Sequence, residues 1–157
     1  MAYTTPITDR DAADIAAQNS KAFWNVADFT RVYDNAVAVN AHLLSEFGAV
    51  IAFTTISTPT TTTIDTITRL NNFTGNIELM RAWVVANTAF YPAALDTEII
   101  DDWAAGQSEA APNYINANRW ESHLDLMYNL EQYRRVAVTG IAITNAGLTR
   151  NQGFRNG

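Results

Sequence analysis

The stretch Phe23–Gly48, FWNVADFTRVYDNAVAVNAHLLSEFG, constrains this chain more than any other. Asn25 is a good N-cap, and Asp28 three residues on can answer it in a capping box. Apolar residues recur at Val26, Phe29, Val32, Tyr33, Ala36, Val37, Leu43, Leu44 and Phe47, with a polar switch at Asn40. That is the three-and-four spacing of one helix face. Gly48 can supply the left-handed residue that closes the helix. The pattern predicts a helix over about 26–47, roughly 30 Å long, the width of a small domain.

Composition says what such a helix can pack against. The 157 residues are 48% hydrophobic and 11% aromatic, enough for one real core and against disorder over most of the length. No apolar run reaches the length of a membrane span, so no membrane partner is expected. The start MAYTTPITD lacks a charged region followed by an apolar one, so no secretory signal is expected. The absence of cysteine excludes disulfides and thiolate metal sites. A net charge of -6 argues against general binding to nucleic acid through phosphate neutralisation. The charge is unevenly spread: after Glu131 come Arg134, Arg135, Arg150 and Arg155 and no acid. A basic tail on an acidic body suggests an acidic partner, which a neighbouring copy of the chain can supply. Lys21 is the only lysine. Arginine suits forked pairing with carboxylates, although biased genomic composition would give the same preference.

In chain order, residues 1–8 read as an extended arm, either flexible or laid as a strand on a neighbour. Thr8 or Asp9 can cap a short helix over DRDAADIAAQNS, with Ala12, Ile15 and Ala16 on its apolar side. After the long helix, Ala49–Thr58 alternates and is β-branched, which predicts a strand or an extended crossing segment. Thr62 or Thr63 can cap a helix over about 63–87, striped by Ile64, Ile67, Leu70, Phe73, Ile77, Met80 and Val84. Gly75 inside it leaves room for close approach of another helix. Phe90-Tyr91-Pro92 turns the chain, and Ala94–Ala105 can form a short helix. Asn113 or Asn116 opens a last helix, with Ile115, Trp120, Leu124, Met127, Leu130 and Tyr133 as core candidates. Val136–Thr144 alternates again and can pair with Ala49–Thr58 or with itself in another subunit. The end, NAGLTRNQGFRNG, reads as loop or tail.

Candidate chemistry is sparse. His42 and His123 have no second histidine at metal-ligand or general-base spacing and read as packed or surface residues. Asp9, Asp11 and Asp14 lack the glycine and closing glutamate of a calcium loop and read as a charged helix start. Glu98, Asp101, Asp102 and Glu109 surround Trp103 and suit a solvated face or a dock for a basic tail. No P-loop, GxSxG or GxGxxG is present. The sequon Asn72-Phe73-Thr74 is discounted, because Phe73 belongs to a helix stripe. Trp24, Trp83, Trp103 and Trp120 read first as core or interface anchors, with an aromatic sugar platform as the alternative.

Three segments together carry a resemblance. Phe23-Trp24-Asn25-Val26-Ala27-Asp28-Phe29-Thr30-Arg31-Val32 resembles the opening of a small helical module of virion structural proteins, of tail, baseplate or fibre type, from phages and prophages of Gram-positive bacteria. Pro59-Thr60 with Arg69-Leu70-Asn71-Asn72 is similar to its second segment, and Tyr114-Ile115-Asn116-Ala117-Asn118-Arg119-Trp120-Glu121 to its last helix start. The resemblance spans residues 20–133. Thr30 departs from the usual Asn, Tyr33-Asp34 stands where Glu is common, and Ala94–Ala111 looks like an insertion.

The expected fold is mainly α: a bundle of three long and two short helices with a minor β element and extended termini. The expected divisions are an arm at 1–8, a helical domain at 9–133, and a β-like segment with basic tail at 134–157. The resemblance implies an oligomeric virion assembly subunit of tail, baseplate or neck, in place of an enzyme, with no cofactor or metal. Its partners would be copies of itself and other virion proteins. A capsid decoration protein, or a receptor- or carbohydrate-binding module that takes a glycan, are the alternatives. Asn25, Asp28, Arg31, Asn72, Asn118 and Glu121 are expected to form a polar lock between helices, since buried amides and charges need partners. Trp103, Arg134, Arg135, Arg150, Phe154 and Arg155 are the interface candidates.

Overall fold

The structure, a computed structural model, describes residues 2–19, 21, 25–57, 67–99 and 112–133. It is mainly helical. Helix α1 spans Ala12–Ala16, α2 Val26–Phe47, α3 Ile67–Asn87 and α4 Tyr114–Tyr128, with a 3-10 turn at Ala93–Asp96. Helix α4 packs on both α2 and α3, which also meet each other.

Local chemistry sets the helix ends. Asn25 Oδ1 accepts from the N–H groups of Ala27 (2.8 Å) and Asp28 (3.1 Å), and Asp28 Oδ2 accepts from Asn25 N–H. Gly48 closes α2 at φ 69°, where Gly48 and Ala49 donate back to the carbonyls of Leu44 and Leu43. At α4 both candidate residues act: Asn113 is the N-cap and Asn116 returns the capping-box bond. Asp11, not Thr8 or Asp9, caps α1, and none of that helix is buried. The expected cap at Thr62 or Thr63 lies outside the described residues.

The three long helices meet around aromatic rings. Phe29 of α2 lies 5.3 Å from Phe73 of α3, and Phe73 meets Trp120 of α4 edge-on at 5.2 Å. All three side chains are fully buried, and burial of each such side chain contributes about 1.5–3 kcal/mol or more. Ile115 and Tyr133 do not join them; they are 57% and 39% exposed. Ile115 precedes Trp120 by five residues and so points well round the helix from the core stripe. Tyr133 follows the break in α4 at Asn129.

Among the described residues there is no strand, so the expected minor β element is corrected at Ala49–Thr58. Residues 49–57 are extended, but side chains, and not a ladder, match the peptide groups of Thr54 and Ile56. Asn76 on α3 accepts from Thr54 N–H and donates to Thr54 O, both at 2.8 Å. The Tyr33 hydroxyl accepts from Ile56 N–H at 2.9 Å. The alternation read in the sequence holds only to Thr54: Ala49, Ile51 and Phe53 face inward and Val50 is 87% exposed, but Thr54 and Thr55 are both exposed and the inward side shifts to Ile56. Val136–Thr144, the other β-like segment, lies outside the described residues.

The expected short helix at Ala94–Ala105 is also corrected within the described part. The turn ends at Asp96, and Thr97 is extended at ψ 117°. In an α-helix Ile99 N–H would bond Leu95 O. Here Arg81 donates to Leu95 O at 2.7 Å, and Glu78 accepts from Ile99 N–H at 2.9 Å. One ion pair on α3 thus takes both ends of the missing helical bond.

Two glycines should respond oppositely to alanine. A Cβ on Gly75 would meet nothing within 4 Å among the described residues, so the close helix approach expected there is not what holds this position. Gly75→Ala should stabilise the fold by up to about 1 kcal/mol through helix propensity. Gly48→Ala should destabilise it by about 1–2 kcal/mol, because its positive φ is costly with a Cβ. Urea unfolding of both variants measures the contrast.

Candidate functional site

The most distinctive site is a buried cluster of four charges between the amino-terminal arm, α2 and α4. Asp28 and Arg31 stand one helical turn apart near the start of α2, whose capping box also holds Asp28. Glu121 lies in the second turn of α4, next to the core residue Trp120. Arg10 comes from the extended segment that precedes α1. Its Nη2 donates to Glu121 Oε1 at 2.8 Å and to Asp28 Oδ1 at 3.3 Å. Arg31 Nη2 donates to the same two oxygens, each at 2.8 Å, and Arg31 Nε reaches Glu121 Oε2 at 3.3 Å. Ile7 N–H adds a 2.6 Å bond to Glu121 Oε2.

Two positive and two negative groups therefore neutralise each other where water is nearly excluded. Side-chain exposure is 0% for Glu121, 3% for Arg10 and 9% for Asp28, while Arg31 at 20% forms the outer edge of the cluster. Burial lowers the tendency of the Arg31 guanidinium to stay charged, but Glu121 and Asp28 outweigh it and hold its pKa above the ordinary value. A carboxylate as enclosed as Glu121 presents no oxygen to a solvent-borne substrate. Such a cluster specifies one arrangement of three segments; breaking it is costlier than its net stabilisation suggests.

Buried amides complete the arm's seat. Asn118 accepts from Arg10 N–H (3.2 Å) and donates to Arg10 O (2.7 Å). Asn35, fully buried on α2, accepts from Thr4 N–H and donates to Thr4 O, both at 2.9 Å. Tyr3 stacks on Tyr128 at 3.9 Å between ring centroids and donates its hydroxyl to Asp125. Burial and Asp125 push the Tyr3 phenol well above its usual pKa, which keeps it a donor. The arm expected to float or to lie on a neighbour is laid on its own body.

Of the expected lock, Asp28, Arg31, Asn118 and Glu121 come together, and Asn25 joins through its capping box with Asp28. Asn72 is exposed on α3 and stands apart from the cluster. Trp103, Arg134, Arg135, Arg150, Phe154 and Arg155 lie outside the described residues. Sequence reasoning missed Arg10, because Asp9 and Asp11 beside it suggest a solvated charged start. It also missed the Glu78–Arg81 pair, which its spacing of three on a helix could have revealed.

A second buried group is His123, which faces Glu78 and Arg81 of α3, Arg119 of α4 and the Ala94 backbone. Burial first, then Arg119 and Arg81, depress its pKa below the ordinary 6.5, against the pull of Ala94 and Glu78. Its Nδ1 has no partner among the described residues. His42 packs its ring against Phe47 and Tyr128. Elsewhere a cleft of about 560 Å³ opens where α2 and α3 end, with Glu46 and Phe47 on one side and Asn87–Phe90 with Leu130 on the other. Among the described residues no group of three or more acids and histidines could hold a metal ion. No described helix is long and apolar enough to cross a membrane.

Compared with known proteins, the chain matches no family model, no curated protein and no solved structure.

Two expectations follow from these charges. Glu121→Gln keeps the shape and removes one of two negative charges, so it should cost about 3–5 kcal/mol by urea unfolding. A double-mutant cycle of Arg10→Met with Glu121→Gln should show coupling of about 0.5–3 kcal/mol. The pH dependence separates His123 from its neighbour Glu78. A depressed histidine pKa means that the unfolded state binds the proton first, so the His123 contribution is present above 6.5 and lost as pH falls below it. Burial pushes the Glu78 carboxyl up, but Arg81 and Ile99 N–H hold it below its ordinary 4.5, so its contribution is lost only at lower pH. His123→Gln should therefore flatten the first slope and keep most of the second, which Arg81 and Ile99 N–H sustain, as read from urea midpoints between about pH 7.5 and 3.

Proposed function

We propose that this chain is a structural subunit of a phage virion that works as an oligomer, associated with tail, baseplate or neck. One observation supports the reading most. Asp28 and Arg31 of the first resembling segment and Glu121 of the third lie far apart in sequence and share one closed charge cluster. The residues that carry the resemblance thus serve the shape of the body. A body whose shape is fixed by its own polar interior suits repeated identical contacts. Many copies in register convert modest pairwise affinity into strong avidity. The partners in this reading are copies of the chain and other virion proteins.

Location is the direct test. A small epitope tag on the chain should appear on assembled particles at a repeated position by immunogold or cryo-electron microscopy. A tag found only in the soluble fraction after particle purification overturns the reading. Sedimentation of the full chain and of a form truncated after Val136 should show weaker association for the shorter form; identical association removes the basic tail from the contact.

A further inference from the structure

We propose that the groove between α2 and α4 is a receptor for the amino-terminal arm of a second copy, so that neighbouring subunits exchange residues 2–10 and each supplies Arg10 to the other's charge cluster. The inference deepens the reading of the chain as a self-associating subunit and rests on it.

The first ground is how the arm is held. It has no secondary structure of its own. Side chains of the body grip it at four points along an extended backbone. Tyr128 stacks on Tyr3, Asn35 clasps Thr4, Glu121 takes Ile7 N–H, and Asn118 clasps Arg10. Two of these grips bind both the N–H and the C=O of one residue, as a neighbouring strand would. This is recognition of an extended peptide by a preformed groove, a mode that works equally within and between chains.

The second ground is that the body is incomplete without an arm. With Arg10 withdrawn, Asp28 and Glu121 face Arg31 alone, two carboxylates against one cation. Asn35, which is fully buried, would lose both backbone partners. The charges and amides of the groove are matched fully only by a segment that carries a guanidinium in this register. Charge complementarity names that segment: an arginine at position 10 meets an acidic pit.

The third ground is the link between arm and body. Helix α1 follows the arm directly, has five residues and buries none of them. Its one large apolar residue, Ile15, is 42% exposed. The Lys21–Asp9 pair beyond it is at the surface. None of the described link residues, 11–19 and 21, is buried. Every specific contact is the same in either arrangement, and exchange of an identical element is a low-cost route to assembly. The balance is then set by local concentration, which rises steeply in an ordered array.

The full chain contains no cysteine, so Tyr3→Cys with Tyr128→Cys introduces the only two thiols, and each single variant is the control that reports 3–3 and 128–128 links. The protein is oxidised at rising concentration and run without reductant beside sedimentation of the untreated chain. Self-association with linked dimers or higher ladders as the majority species supports exchange, and adding Arg10→Met should reduce those linked species severalfold. Self-association with links only inside single chains overturns exchange and leaves the oligomer reading standing. A chain that stays monomeric at every concentration, with only internal links, overturns both. A measurement that needs no substitution covers the case in which the cysteine pair fails to fold. Isotope-labelled and unlabelled chains are refolded together, and isotope-filtered nuclear Overhauser spectra are recorded. Contacts between the Tyr3 and Tyr128 rings of different chains support exchange, and contacts only within chains overturn it.

Discussion

The fold hangs on one buried carboxylate. Glu121 is wholly excluded from solvent, and an ion so placed must be matched by opposite charge and by hydrogen bonds. Arg31 answers it from α2, and Arg10 and Ile7 N–H answer it from the arm. Three segments far apart in sequence are thereby held in one register. Asp28 balances the second guanidinium and at the same time closes the capping box that starts α2. The start of the longest helix and the seat of the arm are thus the same piece of chemistry.

A second constraint follows from the fold class. Helices satisfy their own peptide groups, but the extended segments laid over them do not. The molecule meets this with one asparagine on each long helix: Asn35 on α2, Asn76 on α3 and Asn118 on α4. Each matches both backbone groups of a single extended residue, Thr4, Thr54 and Arg10 respectively. Glu78 and Arg81 do the same for residues 95 and 99 with charged groups. The polar residues inside these helices therefore bind the irregular parts of the chain to a regular frame.

The local features of this chain are legible in its residue spacing. The Asn25–Asp28 box, the Gly48 stop, the stripes of α2 and α3, and Asn113 with Asn116 all depend on residues within a few positions of one another. Interactions of that range are written directly into the order of the side chains. The alternation at residues 49–54 is equally local and marks an inward and an outward side, but it slips at Thr54-Thr55, so that Ile56 turns inward out of phase. It does not say whether the partner of that backbone is a strand or an amide, because alternation reports burial and not hydrogen bonding. Asp28, Arg31, Asn118 and Glu121 are legible as a group only through the resemblance, whereas Asn72, drawn in by the same reasoning, faces solvent.

The amino-acid sequence by itself determined that the body has three long helices, where α2 begins and ends, where α4 begins, and most of the apolar stripes of α2 and α3. Those are consequences of backbone geometry and of the short reach of capping side chains. Only the tertiary structure decided that Arg10 belongs to the interior. It sits between two aspartates in a polar start, and nothing in its neighbourhood distinguishes it from a solvated arginine. Its burial is made possible by Glu121, more than a hundred residues away, whose own burial creates the demand for it. Charge pairing across that distance exists only once the chain has packed α2 against α4.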